Sequence, residues 1–402
     1  MKRILFVDDE RNVLDGIRRM MHGDRGHWEM KYAVGGEEAL RAFDGGDGFD
    51  VIVSDMLMPG VNGVELLQTV RERYPNTARL ILSGYAENAL AAKAATVAHQ
   101  LVSKPCVASD LRAVIERVCT LQDVLRTPEL RAVVSKIDKL PSLSETYIAL
   151  TRVLENPSVC IRKVARIIES DIAMSAKILQ LVNGAFFGPA QKVTQIEPAI
   201  EYLGLDTIRN LALTSEVFTV FKPDRRFPSA LFTEMQAHSR WSAAIVNTFD
   251  LQRNDRDVAA VSSLLHDIGH LILAAKMPDC FSQIQERVAR EHCRTFEAEE
   301  QLLGVSHAEI GAYLLGLWGI DDHVVEAIAH HHHPTRFVHA KLDPTVAVYL
   351  ADLLTHEIEE HPGDPNGQQL IEAERAELRT LGVMDRYASL RENAERYCEQ
   401  LT

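Results

Sequence analysis

Three aspartates, a serine and a lysine sit at the ends of short apolar runs in the N-terminal part of the chain. Asp8 and Asp9 follow the run at residues 3–7, Asp55 follows 50–54, Ser83 follows 79–82, and Lys104 follows 101–103. Three acids on one rim repel each other unless a cation sits among them, and hard oxygen ligands with open water positions suit Mg²⁺. A hydroxyl and an ammonium opposite those acids suit a phosphoryl group, whose oxygens need donors. An aspartate beside Mg²⁺, serine and lysine is equipped to accept a phosphoryl group as a nucleophile. The plainer alternative is a set of acidic loops with no chemistry.

A second constellation lies further along: His238, His266-Asp267, His307, His330-His331 and Asp352. Each histidine is in or near an apolar helical stretch. Histidine and carboxylate on facing helices can bind one or two metals in a bundle core, with Fe, Mn and Zn the ions such donors suit. A single buried histidine is more often a hydrogen-bonded core residue, and both readings stay open here.

The elements that must position these residues fall into two regimes. Residues 1–122 alternate β-rich runs with helical patterns in five successive units, which predicts an α/β doubly wound, five-stranded parallel sheet with helices on both faces. Ligands of such sheets bind at the carboxyl ends of the strands, where the three acids, Ser83 and Lys104 fall. The last helix of this region carries Leu111, Val114, Val118, Leu121 and Leu125 at 3-4 spacing, a short heptad seam. It fits a helix packed on its own sheet that overruns the domain, or one that pairs with a second copy as a homodimer through residues 111–125. Thr127-Pro128 ends it. Residues 123–139 read as a helical linker, 140–360 as an all-α bundle punctuated by proline and glycine, and 361–402 as a charged helical extension.

Composition excludes several classes. Of 402 residues, 46% are hydrophobic and 25% charged, as in a folded globular protein. A net charge of −14 and no clustered basic helix argue against direct DNA binding and against an anionic membrane surface. The N-terminal apolar run meets acids at once, unlike a signal peptide. No uninterrupted apolar run of about 18 residues predicts a transmembrane helix. Six cysteines without a CxxC pair fit reduced residues in the cytoplasm.

The first constellation resembles the receiver domains of response regulators, on Asp8-Asp9-Glu10, Asp55 with Pro59, Gly60 and Gly63 behind it, Ser83-Gly84 and Lys104-Pro105. That resemblance implies that Asp55 takes a phosphoryl group from a sensor histidine kinase. It further implies that Asp9, Asp55 and the Leu57 carbonyl hold Mg²⁺ with Asp8 acting through water, and that Ser83 and Lys104 hold the phosphoryl oxygens. Receivers often carry Tyr or Phe three residues before the lysine, where this chain has Leu101, so the usual aromatic switch is missing.

The second constellation resembles the metal set of the HD phosphohydrolase superfamily in His238, His266-Asp267 and Asp352. More narrowly it resembles the HDOD domain, on Lys139–Leu143, Ile168–Asp171, Ser175–Asn183, Ala199–Gly204, Leu264–Gly269, His307–Leu315 and Ala327–His331. HDOD domains are generally regarded as non-hydrolytic signalling modules. The resemblance implies a two-component regulator whose output domain binds an unidentified protein. The alternative it leaves is a phosphorylation-gated, metal-dependent phosphohydrolase, extending to cyclic dinucleotides. His270 stands where cyclic-di-GMP phosphodiesterases of the HD-GYP type have lysine, and no Gly-Tyr-Pro motif follows His331, which argues against that last activity.

Overall fold

A computed structural model describes the chain except residues 47, 84–93, 95–96, 126, 138–140, 143, 155, 157–158, 184–191, 206–207, 209–218, 221–228, 337–341, 360–374 and 402. The N-terminal part runs β1 (Lys2–Asp8), α1 (Arg11–Met20), β2 (Trp28–Val34), α2 (Gly36–Asp44), β3 (Val51–Asp55), α3 (Gly63–Arg73), β4 (Ala78–Ser83), β5 (Gln100–Ser103) and α4 (Ala108–Val124). The five strands are parallel in the order β2-β1-β3-β4-β5. The apolar runs are continuous because both faces of the sheet are covered: Ile4, Phe6, Val51, Val53 and Leu80 face one core, and Leu5, Val7, Ile52 and Ile81 the other. Residues 87–97, whose alanine-rich sequence predicts a helix between β4 and β5, lie mostly outside the described residues.

Helices follow. They are α5 (Pro128–Ser135), α6 (Ser144–Leu154), α7 (Ile161–Glu169), α8 (Ile172–Asn183), α9 (Ile196–Leu203), α10 (Ser229–Val246), α11 (Arg253–Leu265), α12 (Ile268–Lys276), α13 (Pro278–Glu291), α14 (Thr295–Leu303), α15 (His307–Leu317), α16 (Asp322–His330), α17 (Pro344–Glu359) and α18 (Met384–Leu401). One two-stranded parallel pair, Pro141–Ser142 with Thr219–Val220, interrupts them. The run Arg253–Lys276 is long and apolar enough, on length and hydropathy, to cross a membrane. Its most apolar stretch of 18 residues is 72% buried inside the bundle, as befits a core segment, and the run breaks at His266-Asp267 between α11 and α12.

The heptad seam is occupied within the chain. Of the seam residues on or just after α4, Leu111, Val118, Leu121 and Leu125 are buried and Val114 is half-buried, and α4 packs on α15 of the helical part. Those side chains are therefore not available to a second copy in this arrangement. The structure takes the first of the two alternatives left by the spacing and adds to it: the helix covers its own sheet and the bundle together. Replacing Val118 by Glu is expected to lower stability by about 3 kcal/mol or more, because an unpaired carboxylate would be buried between the two parts. A chemical denaturation series measures this; an unchanged midpoint with a halved solution mass would show an intermolecular seam instead.

A polar knot lies beside that contact. The buried Arg79 side chain at the start of β4 donates to the carbonyls of Val97 at 2.6 Å and Ser135 at 2.6 Å, and lies 2.8 Å from His99 Nε2. Ser135 Oγ in turn meets Tyr313 Oη of α15 at 3.1 Å. Burial, then the Arg79 charge, holds His99 well below the usual histidine range, so it stays neutral there.

Candidate functional sites

At the carboxyl edge of the sheet, Lys104 Nζ donates to Asp8 Oδ2 at 3.0 Å and to Asp55 Oδ1 in a shorter contact. The Leu57 N–H donates to Asp55 Oδ2 at 2.9 Å, and the Glu10 N–H to Asp8 Oδ1 at 2.9 Å. Asp8 is buried, Asp9 is exposed, and Asp55 is partly open to solvent. Burial raises the Asp55 carboxyl above its ordinary value, against the lowering effect of Lys104. Ser83 ends β4 beside this group, but its side chain lies outside the described residues. Parallel pairing makes the juxtaposition: β1, β3 and β4 are registered so that Val7 faces Ser54 and Asp55 faces Leu82.

The histidines converge on one cavity of about 490 Å³, with His238, Asp267, His307 and Asp352 in its wall. His238 stands on α10 and Asp352 on the facing α17, with Nε2 and Oδ1 2.9 Å apart. His266 and Asp267 occupy the break between α11 and α12. His266 Nε2 is 3.4 Å from both Asp267 Oδ1 and Asp352 Oδ1. His307 begins α15, where Ser306 and Glu309 form a capping box, and its Nε2 lies 3.3 Å from Asp267 Oδ1. Gly269 permits this approach, since a Cβ there would stand 2.0 Å from the His307 carbonyl oxygen. His331 and His332 follow α16, and His332 Nε2 is 2.8 Å from His307 Nε2.

Four sets of three have their ligand atoms within 4.8 Å of one another: His238/His266/Asp352, His266/Asp267/His331, Asp267/His270/His307 and His307/His331/His332. His330 is in none of these sets, while His332 and His270 are. The outer ring nitrogens are committed elsewhere. Nδ1 of His266 meets the Ser263 carbonyl at 2.7 Å, Nδ1 of His331 the Ile328 carbonyl at 2.7 Å, and Nδ1 of His307 the buried Glu299 carboxylate at 2.7 Å. For His266 and His331 an Nδ1–H donated outward leaves Nε2 unprotonated toward the cavity, the tautomer a metal requires. The buried Nε2 atoms of His266 and His331 make no hydrogen bond. Buried polar atoms without partners are rare in folded proteins. Orphaned nitrogens facing two carboxylates fit a divalent cation.

Electrostatics favour two ionised aspartates and a neutral His331, while His307 has a proton to give up before it can hold a metal. Burial disfavours charge on both aspartates, but the surrounding histidines outweigh it and hold Asp267 and Asp352 well below the usual carboxylate range. Burial also disfavours a charged His307, yet Glu299 and Asp267 push it up to about 10. Burial, with His266 and His307 beside it, drives His331 down to about 3. The consequence for the metal-free chain is a stability maximum near neutrality. His331 refuses a proton that the unfolded chain accepts below about pH 6.5, so stability falls as pH drops toward 3, by ~1.4 kcal/mol per unit for one such group. His307 acts in the opposite sense: its contribution is full below about 6.5 and is lost as pH rises through 10. Denaturation midpoints of chelator-treated protein against pH measure both limbs. Buried neutral His99 and His332 add to the same limb, so it should become shallower, not vanish, in His331→Asn; a flat acid limb in the wild type, or one of unchanged slope in His331→Asn, would contradict the assignment.

The family model of the response regulator receiver domain matches residues 4–116, and that of the HDOD domain matches residues 140–334. The chain joins a receiver domain to an HDOD domain. An uncharacterized protein of Treponema pallidum is 25% identical over 222 residues, covering 55% of this chain and 43% of its own length. The response regulator UvrY of Escherichia coli is 32% identical over 93 residues, covering 23% of this chain and 42% of its own. The chain thus spans less than half the length of these curated relatives. Among solved structures, a virulence factor of Campylobacter jejuni aligns over 67% of this chain and 97% of its own, with 21% identity and a TM-score of 0.51, a likeness of fold.

Proposed function

We propose that this receiver–HDOD protein is a cytoplasmic two-component response regulator whose output domain carries a divalent metal site. Asp55 accepts the phosphoryl group from a sensor histidine kinase. Asp9, Asp55 and the Leu57 carbonyl hold Mg²⁺, with Asp8 acting through water, and Ser83 and Lys104 hold the phosphoryl oxygens. Lys104, shared in the structure between Asp8 and Asp55, is the cation already at hand to neutralise an incoming phosphoryl group.

In the HDOD domain, His238, His266, Asp267 and Asp352 hold one Fe, Mn or Zn ion. His307, His331 and His332, with Asp267 shared, offer a second position. The observation that carries this reading is the inward turn of the Nε2 atoms, fixed by outward Nδ1 partners on Ser263, Ile328 and Glu299. Elemental analysis of purified protein tests it. We expect a stoichiometric transition metal, largely lost in His266→Ala; a metal-free wild type that cannot be loaded would refute it.

Whether the site only signals or also hydrolyses turns on the cavity. Its 490 Å³ extends past Arg294 and Phe296, room for a phosphoester beside the proposed metal ligands. This favours a second reading, a phosphohydrolase. A bound metal would supply Lewis-acid activation of water. Asp267 and Asp352 would hold its charge, and Arg294 would meet the phosphate. Without the HD-GYP lysine and motif, no cyclic-di-GMP turnover is expected from metal-loaded, phosphorylated protein. Turnover lost in both His266→Ala and Asp267→Ala would put the enzyme first and protein binding second.

A further inference from the structure

The two sites lie on different domains, and the aromatic switch of receivers is replaced by Leu101, so another route must join them. One is built into the elements. Lys104 directly follows β5, whose first residue is Gln100; four residues of strand span ~13 Å. Gln100 Nε2 donates to the Gly316 carbonyl of α15 at 3.1 Å. From Gly316, nine residues of helix run ~14 Å back to His307 in the histidine cluster.

Both rods are suited to transmit displacement. β5 is the edge strand, bonded in the sheet only to β4, so it can shift without breaking a second ladder. Helix α15 is buried along nearly its whole length and cannot bend into free space. Their junction is tight. A Cβ on Gly316 would stand 2.6 Å from Leu121 Cδ1 of α4, and one on Gly319 3.0 Å from Gln100 Cδ. At the far end, Gly269 lies against the His307 backbone with no room for a methyl group. A shift of α15 is therefore passed to Gly269, two residues beyond Asp267.

We propose that β5 and α15 form one mechanical link, joined at the Gln100–Gly316 contact, through which phosphorylation of Asp55 changes the cation affinity of the histidine cluster. This rests on the reading of the cluster as a metal site. Coupling between two binding sites is reciprocal, which makes the link measurable from either end. Calorimetric titration with Mn²⁺, in saturating Mg²⁺ with and without beryllofluoride as phosphoryl mimic, should show at least about a fivefold difference in Mn²⁺ affinity. Mn²⁺ should change beryllofluoride affinity by the same factor. In Gln100→Leu the factor should fall to one. Gly316→Ala should reduce it, and Leu121→Ala in the same chain, by making room for the methyl group, should restore it. A wild-type factor of one, or an undiminished factor in Gln100→Leu, overturns the proposal. If Gln100→Leu does not fold, an undiminished factor in Gly316→Ala does so.

Should the wild type bind no Mn²⁺, the metal reading fails, and the link is read from amide hydrogen exchange at residues 309–317. Beryllofluoride must then change exchange there in the wild type and not in Gln100→Leu, or in Gly316→Ala where Gln100→Leu does not fold; any other result overturns the link.

Discussion

Incubated with acetyl phosphate and Mg²⁺, the wild-type chain is expected to take up one acid-labile phosphoryl group and Asp55→Asn none. The amide keeps the shape of the side chain and its acceptor for the Leu57 N–H, but it is no nucleophile. Chelation of Mg²⁺ should have nearly the same effect, because Asp8, Asp9 and Asp55 then lack the cation that lets a negatively charged donor approach. Lys104→Ala should accept phosphate far more slowly, as it removes the only cation seen bridging Asp8 and Asp55 among the described residues. Acid-labile label on Asp55→Asn equal to that on wild type would remove Asp55 from its assigned role.

Asp267→Asn should lower transition-metal affinity of the HDOD domain by about 100-fold or more, since loss of an outer-shell partner alone typically costs 10–100-fold. The reason for choosing Asp267 is its position: it belongs to sets on both sides of the cavity, with His266 and His331 and with His270 and His307. It also faces His307, whose proton the metal must displace, so the variant should lower the His307 pKa and release fewer protons when metal is added. Elemental analysis gives the stoichiometry, and an unbuffered pH trace gives the protons. Full retention of both in Asp267→Asn would show that Asp267 serves the hydrogen-bond network alone.

The sheet and its acidic rim were legible from sequence because strand ends are marked by composition: apolar runs stop at Asp8, Asp55, Ser83 and Lys104. The histidine cluster was legible in outline only. His330 closes helix α16 and His331 caps it, so the chain turns there and brings His332 as well as His331 to the cluster. Helical spacing cannot foresee that turn. Glu299 was missed, though a signal existed. It sits three residues after Phe296 and four before Leu303, a lone acid on the apolar stripe of α14, which points to a buried partner. The seam on α4 was ambiguous for a physical reason: a 3-4 stripe reports that a helix face is covered, not which chain covers it.

That covered face bears on how the protein could have been assembled from separable modules. One apolar cluster runs from Ile4 and Leu80 of the sheet through Val118 and Leu121 to Leu314 and Leu317 of the bundle, without regard to the boundary between domains. Such a chain should melt in a single calorimetric transition. A receiver transplanted from another regulator would bring a foreign stripe to the α15 surface and would have to be refitted there before it could serve, so the two halves are bound to change together over evolutionary time.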